Sequence, residues 1–164
     1  MNAERYAQGI PLVEYINENT GRRRLLSKLA EIRLPAEVTA FFQGLTEPLY
    51  ALVITEPWCP STPMALSLLV HCVELSGGQL QARVFPRDAN PDVMDEYLKE
   101  GKYRSIPVVA FLDAQFHPLG DIRERPSLPE WEGLDADARR QREANMDWSE
   151  LWGRAYMHAA QRRQ

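Results

Sequence analysis

Several residue types that would support particular functions are scarce in this sequence. It has two cysteines and three histidines among 164 residues. Two cysteines cannot form the disulfide framework of a small secreted domain, and the histidines lack the spacing of metal ligands, so we expect neither feature. No stretch approaches the roughly 18 apolar residues that a membrane-spanning helix needs. The net charge of −4 argues against a general binder of nucleic acids or anionic membranes.

The N-terminal residues Met1 to Tyr6 also lack the apolar core of a signal peptide. Unpaired cysteines are typical of a reducing compartment. We therefore expect a cytoplasmic protein without a bound cofactor, whose partners include neither nucleic acids nor membranes.

The proportions of apolar (45%) and charged (26%) residues are those of a globular protein, and the length fits one domain with additions. Helical periodicity runs from about residue 11 to 47, with breaks at Asn19-Thr20-Gly21 and Leu34-Pro35. A second helical region, of one long helix or two shorter ones, extends from Asp135 to about Ala160. We predict an N-terminal helical extension (1–47), a core (48–125) and a C-terminal helical extension (126–164) within one compact domain.

Strands alternate with helices in the predicted core, because the hydrophobic period changes there. In chain order we predict a strand at 49–54, a helix from Thr62 to Gly77, a strand at 80–85, a helix from Asn90 to near Gly101, and strands at 108–112 and 116–122. This β-α-β-α-β-β order predicts an α/β fold with a mixed sheet. The first connection can close a parallel pair of strands, and the last needs only a turn.

A cysteine lies where the first of these strands passes into a helix, in the sequence Trp58-Cys59-Pro60-Ser61-Thr62. Unpaired N–H groups and the positive end of the helix dipole favour thiolate there, which is the nucleophilic form of cysteine. We expect Pro60 in the first helical turn and a partly exposed Cys59. The second cysteine, Cys72, lies about 20 Å further along the predicted helix, which is too far for a disulfide, and we expect it to be buried.

Three segments carry a resemblance to a known family. They are Ile54 to Cys59, Arg87 to Leu98, and Arg104-Ser105-Ile106-Pro107. Together with the order of strands and helices, they resemble a bacterial thioredoxin-like family with a degenerate Trp-Cys-x-x-Cys active site. The resemblance covers roughly residues 48–125 and implies the thioredoxin fold.

The resemblance also implies roles for individual residues. Cys59 matches the attacking cysteine, and Thr62 fills the resolving position, where a hydroxyl can donate a hydrogen bond to the thiolate but cannot expel a bound thiol. Val53 stands where dithiol thioredoxins carry a buried acid. Pro107 matches the cis-proline that faces the active cysteine in this fold. The predicted catalytic residues are Cys59 and Thr62, and the predicted substrate-binding groove consists of Trp58, Pro60, Ser61, Ile106 and Pro107.

Two functions fit these residues. The first is thiol–disulfide exchange through a single thiol, on a protein or a low-molecular-weight thiol or disulfide. Arg87 and Arg104 would then attract an anionic thiol such as glutathione or bacillithiol, unless they form surface ion pairs. The second function is a non-catalytic binding module that uses the groove and the C-terminal helix for recognition.

The C-terminal helix carries an apolar, aromatic face at helical spacing. This face packs either on the chain's own sheet or against a second subunit in a homodimer. It consists of Trp148, Leu151, Trp152, Ala155, Tyr156 and Ala159.

Overall fold

The computed structural model describes residues 1–18 and 22–161; the expected break at Asn19-Thr20-Gly21 lies outside them. The helices are α1 (Ala3–Tyr6), α2 (Leu12–Glu18), α3 (Arg22–Glu31), α4 (Ala36–Gln43), α5 (Thr62–Leu75), α6 (Pro91–Met94), α7 (Ala136–Ala144) and α8 (Trp148–Gln161). The strands are β1 (Ile10–Pro11), β2 (Leu49–Thr55), β3 (Leu80–Pro86), β4 (Val108–Leu112) and β5 (Pro118–Arg123). None of these helices within the described ranges has the length and hydropathy that crossing a membrane requires.

The strands form one sheet in the order β1-β3-β2-β4-β5. β2 and β3 are parallel, with Val53 opposite Val84, and β4 pairs antiparallel with β2, with Ile54 opposite Val108. β5 runs antiparallel to β4 at one edge of the sheet. The predicted β-α-β-α-β-β order and the mixed α/β class are therefore confirmed.

The N-terminal region contributes a strand that the sequence did not predict. β1 has two residues and pairs antiparallel with β3, with Ile10 opposite Val84. Just before it, Tyr6 of α1 is buried, and its hydroxyl lies 3.0 Å from the Ala51 carbonyl oxygen and 3.1 Å from that of Gln81. The N-terminal region is thus joined to the sheet by both backbone and side-chain hydrogen bonds.

Helices cover both faces of the sheet and bury two apolar cores. β2 lies between these cores, because successive side chains of a strand point to opposite faces. Ala51 and Val53 belong to the larger core, which includes residues of α3, α4, α5 and α8. Leu52 and Ile54 belong to the smaller core, which includes residues of α1 and α6. The carboxyl end of β2, where the chain leaves the sheet, is consequently packed against a core on each face.

The aromatic face of the C-terminal helix packs within the chain. Tyr156 of α8 donates its hydroxyl hydrogen to the Ala65 carbonyl oxygen at 2.7 Å. Its ring makes edge contacts with Phe111 and Trp152 at centroid distances of 5.6 and 5.9 Å. Within one molecule, this face therefore packs against β4 and α5, and the homodimer through this helix stays a prediction.

The helix after Asn90 is shorter than predicted. It ends at Met94 and continues as a 3-10 helix over Asp95–Tyr97, instead of reaching the neighbourhood of Gly101. Leu98 is already extended, with a φ of −65° and a ψ of 131°. The remaining chain up to the next strand is therefore a loop.

The last strand begins two residues later than predicted, at Pro118. Phe116 has a φ of 64°, which belongs to a turn and not to a strand. In the same turn, the Asp113 carboxylate accepts hydrogen bonds from the N–H groups of Gln115 and His117 at 2.8 and 2.9 Å. The turn between the last two predicted strands, which leaves residues 113–115 between them, thus extends to His117.

Candidate thiol site

Cys59 lies in the turn that joins β2 to α5. Its N–H group donates to the Glu56 carbonyl oxygen at 3.1 Å, and its carbonyl oxygen accepts from the Thr62 N–H group at 3.2 Å. Because α5 begins at Thr62, Pro60 precedes the helix, and the prediction that it occupies the first helical turn was wrong. The proline in that turn is Pro63. The Thr62 N–H group is already used by the Cys59 carbonyl.

The Cys59 thiol is largely covered. The residue is 6% exposed, so the expectation of a partly exposed thiol was wrong. Its Sγ atom lies 3.8 Å from the Ile106 carbonyl oxygen, to which the thiol donates a weak hydrogen bond. The thiol therefore meets the backbone of Ile106, one of the residues of the predicted substrate-binding groove.

The loop that carries Ile106 is held by Glu124, the residue that follows β5. The Ile106–Pro107 peptide bond is cis, as predicted. The Glu124 N–H group donates to the Pro107 carbonyl oxygen at 2.8 Å, and its carboxylate accepts from Lys99 Nζ at 2.8 Å. The hydrogen bond from Lys99, with a further one from Ser105, holds the pKa of Glu124 below its usual value. Glu124 is thus part of the site, and the sequence analysis missed it.

The Thr62 hydroxyl has partners other than the thiol. Thr62 is buried, and its Oγ1 atom lies 2.6 Å from the Thr55 hydroxyl oxygen and 3.5 Å from the Glu56 carbonyl oxygen. A hydroxyl has one hydrogen to donate, and these two oxygens are within its reach. The structure therefore does not show the expected hydrogen bond from Thr62 to Cys59. Thr62 instead fastens the start of α5 to the end of β2.

Trp58 is the exposed aromatic residue next to the thiol, with 64% of its surface exposed. The Arg87 guanidinium lies 5.1 Å from the centre of the Trp58 ring, which is a cation–π contact. The same guanidinium donates to the Arg104 carbonyl oxygen at 3.3 Å and to the Asp88 carboxylate at 2.9 Å. The Arg87 side chain thus links the turn of Trp58, its own loop after β3 and the loop of Arg104.

Both arginines near the thiol have carboxylate partners. Arg87 pairs with Asp88 at 2.9 Å, and Arg104 makes two hydrogen bonds of 3.0 Å with Asp95. Exposed pairs of this kind contribute little to stability. The ion-pair alternative of the sequence analysis therefore describes both residues. An anionic thiol would have to compete with these carboxylates.

Cys72 has no access to the thiol site. It is fully buried, and burial raises the pKa of its thiol. It lies ten residues into α5, about 15 Å from the start of the helix at 1.5 Å per residue. Since the sequence has two cysteines, Cys59 has no resolving thiol. Within residues 1–18 and 22–161, no group of three His, Cys, Asp or Glu side chains is placed to hold a metal ion.

The remaining groove residues differ in exposure. Pro60 is exposed, Ser61 is half-buried and Pro107 is buried. Sequence reasoning also missed Glu56, whose carboxylate accepts a hydrogen bond from the Asp88 N–H group at 2.9 Å. This bond joins the turn that carries Cys59, residues 56–61, to the loop after β3. We call residues 56–61 the thiol turn. The available signal was an acidic side chain between the strand and the cysteine, at a position where the family motif sets no role.

A family model described as Thioredoxin matches residues 9–130. The chain belongs to this thioredoxin-like family. The match begins well before residue 48, so it includes α2, α3 and α4, which the sequence analysis had placed outside the resemblance. No curated protein matches the chain.

Two solved structures share the thioredoxin-like fold of the chain. One is the crystal structure of a protein of unknown function from Pseudomonas aeruginosa, which is 21% identical, with a TM-score of 0.73 over 96% of this chain and 95% of that chain. The other is the crystal structure of an HIV epitope-scaffold, which is 22% identical, with a TM-score of 0.69 over 96% and 92%. At these identities the likeness shows the fold alone.

Proposed function

We propose that this thioredoxin-like protein exchanges disulfides through a single thiol, that of Cys59. The observation that supports this most is the 3.8 Å contact between Cys59 Sγ and the Ile106 carbonyl oxygen. An extended peptide or a low-molecular-weight thiol can pair with the backbone of such a loop. Because Thr62 fills the resolving position and Cys72 is buried in α5, the exchange has no intramolecular second step.

In the proposed reaction, the Cys59 thiolate attacks one sulfur of a disulfide. A bond forms between Cys59 and that sulfur, the original S–S bond breaks, and the other sulfur leaves as a thiolate that takes up a proton. A second thiolate from solution then attacks the substrate sulfur of the mixed disulfide and releases Cys59. One disulfide is consumed and one is formed, so the cycle needs no further oxidant or reductant.

The neighbouring side chains support this geometry. Glu124 holds the loop of Ile106 in place through two hydrogen bonds, one from its N–H group and one to its carboxylate. Arg87 contacts the Trp58 ring and donates a hydrogen bond to the Arg104 carbonyl oxygen. Trp58 offers an exposed apolar wall to a bound peptide. We propose a protein or a low-molecular-weight thiol as the substrate, and a reducing cytoplasmic setting, in which single thiols stay reduced.

A kinetic experiment tests this function. A peptide carrying a mixed disulfide with glutathione is reduced by excess glutathione, with and without the protein. We expect acceleration by the wild type and by C72S, and none by C59S. Reduction of insulin by dithiothreitol should be negligible with the wild type, since a monothiol cannot resolve protein disulfides by itself. Equal rates for the wild type and C59S would contradict the proposal.

The second candidate is a non-catalytic binding module. The exposed fractions of two residues, Cys59 and Trp58, favour it. Cys59 is only 6% exposed, whereas Trp58 beside it is 64% exposed. A module of this kind would recognise its partner through Trp58 and the Ile106 backbone, and it would not need a reactive thiol. An unreactive Cys59 in the kinetic experiment would therefore favour this function.

A further inference from the structure

A second cleft lies on the face of the sheet that α8 covers, and no residue of the thiol turn lines it. Its volume is about 580 Å³, within the range of about 300–1,000 Å³ that is typical of small-molecule sites. It is bounded by the end of β5, by the segment from Arg125 to Glu132, and by α8; Arg139 of α7 also lines it. A cleft of this size accommodates an organic molecule and not only an inorganic ion.

Two of the arginines that line the cleft have donors to spare. Arg139 donates through Nε to the Leu134 carbonyl oxygen at 3.0 Å, and it pairs with no carboxylate in the part of the chain that the structure describes. Arg125 forms an ion pair with Glu143, whose carboxylate oxygen lies 3.6 Å from Nη1; this is beyond hydrogen-bond length, so the N–H donors of Arg125 stay available. The acidic residue Glu132 also lines the cleft. The two guanidinium groups therefore offer free N–H donors to the cleft, while the formal charges of Glu132 and Glu143 balance theirs.

The other two charged residues of the cleft neutralise each other. Arg123 and Asp121 form an ion pair at 2.8 Å, and Arg123 also donates to the Leu98 carbonyl oxygen at 2.7 Å. Small and apolar side chains complete the cleft. They are those of Ile122, Leu128, Ala155 and Ala159. The lining thus combines unused guanidinium donors with small and apolar side chains.

His158 supplies an independent observation. It lines the same cleft, and its Nε2 atom is buried without a hydrogen-bond partner among the residues that the structure describes. Buried polar atoms in native proteins almost always have a partner, and a bound molecule is one of the groups that supply it. Because Nε2 is buried, the imidazole has to turn about its χ2 bond before this nitrogen reaches a molecule in the cleft.

From these observations we propose that the cleft binds an organic anion of metabolite size, with a carboxylate or phosphate head and an apolar body. Arg139 and Arg125 bind the head by charge-assisted hydrogen bonds, and His158 adds a further one. The apolar body lies against Pro129, the apolar residue of the lining that is exposed. This site is separate from the thiol turn and does not depend on the function proposed for Cys59.

Three small probes test the proposal, because they share an aromatic body and differ in the head group. They are phenyl phosphate, phenylacetate and neutral benzyl alcohol. We expect at least one anion to bind saturably with a Kd of about 1 mM or tighter, and benzyl alcohol not to bind. The tighter anion identifies the head group. Because the sequence has three histidines, their side-chain NMR signals report the location, and we expect His158 to shift while His71 and His117 do not.

Matched variants on one helix provide the control. R139Q removes a cleft arginine, whereas R142Q makes the same change at an exposed position of α7 that does not line the cleft. We expect R139Q to weaken binding about tenfold and R142Q to leave it unchanged. C59S should bind as the wild type does, so failure of the thiol function leaves this result intact.

Three outcomes would overturn the proposal. They are the absence of saturable binding by both anions, equal losses of binding in R139Q and R142Q, and a ligand-induced shift of His117 without one of His158. If R139Q does not fold, the NMR titration of the wild type still decides between these outcomes.

Discussion

The hydrogen bond between Thr55 and Thr62 predicts a specific pattern in a double-mutant cycle. Thr55 is fully buried at the end of β2, and its Oγ1 atom lies 2.6 Å from that of Thr62 at the start of α5. T62V keeps the shape of the side chain but leaves the Thr55 hydroxyl without this partner. An unsatisfied buried hydroxyl costs about 1–3 kcal/mol, whereas replacing both partners by apolar groups can be nearly neutral.

We therefore expect T62V to lower the free energy of unfolding by about 1–3 kcal/mol, and the melting temperature by about 2–12 °C for a chain of this length. T55V should cost less, because Thr62 can still donate to the Glu56 carbonyl oxygen. The double variant should cost less than the sum of the two, with a coupling energy of about 1 kcal/mol. Urea unfolding followed by the fluorescence of the four tryptophans measures all three free energies.

The same variants separate two roles of Thr62. Since its hydroxyl has other partners, T62V should leave the alkylation rate of Cys59 in the folded protein unchanged. Strict additivity of T55V and T62V would show that the two hydroxyls are not paired. A large change in Cys59 alkylation by T62V, without a loss of stability, would show that Thr62 acts on the thiol instead.

Three further predictions concern other parts of the structure. G120A should destabilise the protein by about 3 kcal/mol in thermal unfolding, because the new Cβ would lie 2.6 Å from the backbone oxygen of Ala159; an unchanged melting temperature would contradict this packing. Cys72 should resist alkylation in the folded protein and react only after unfolding, since burial raises its pKa; rapid native labelling, seen by peptide mass spectrometry, would show that α5 opens. The lowered pKa of Glu124, caused mainly by its hydrogen bond with Lys99, contributes stability that is present above about pH 4.5 and is lost as the pH falls. In urea unfolding at several pH values, the free energy of unfolding should therefore fall less steeply toward acid pH for E124Q than for the wild type. An identical pH dependence of the two proteins would exclude this contribution.

The sequence predicted the strands of the core because their signals are local. β2 and β4 are apolar runs buried on both faces, and such runs are visible without knowledge of their neighbours. The pairing of Cys59 with the Ile106–Pro107 loop was also predicted, although these residues are far apart in the chain. That prediction came from the family resemblance, which carries tertiary information that a pattern of hydrophobic residues does not contain.

The features that were missed depend on tertiary contacts. β1 has two residues, one of them a proline, so only its pairing with β3 defines it as a strand. The role of Thr62 was predicted from its distance to Cys59 in the sequence, but a hydroxyl bonds to its nearest partner in space, which is Thr55. Glu124 was missed for the same reason, since its hydrogen bonds with Lys99 and Pro107 join separate loops.

The exposure of Cys59 was mispredicted because a motif gives the position of a thiol in the chain and not the atoms that cover it. Its sulfur lies against the Ile106 carbonyl, and the residue keeps 6% of its surface. A disulfide must therefore reach a recessed sulfur. The reactivity of this thiol toward a small disulfide is consequently the property on which the proposed function depends.

The most direct measurement is the intact mass of the folded protein after incubation with glutathione disulfide. The account predicts one glutathionyl adduct on the wild type and on C72S, placed on Cys59 by peptide mapping, and none on C59S. Its removal by excess glutathione should restore the original mass, because the exchange is reversible. An unmodified wild type, under conditions that modify a free cysteine peptide, or an adduct that persists in C59S would contradict the claim that Cys59 is an exchanging thiol.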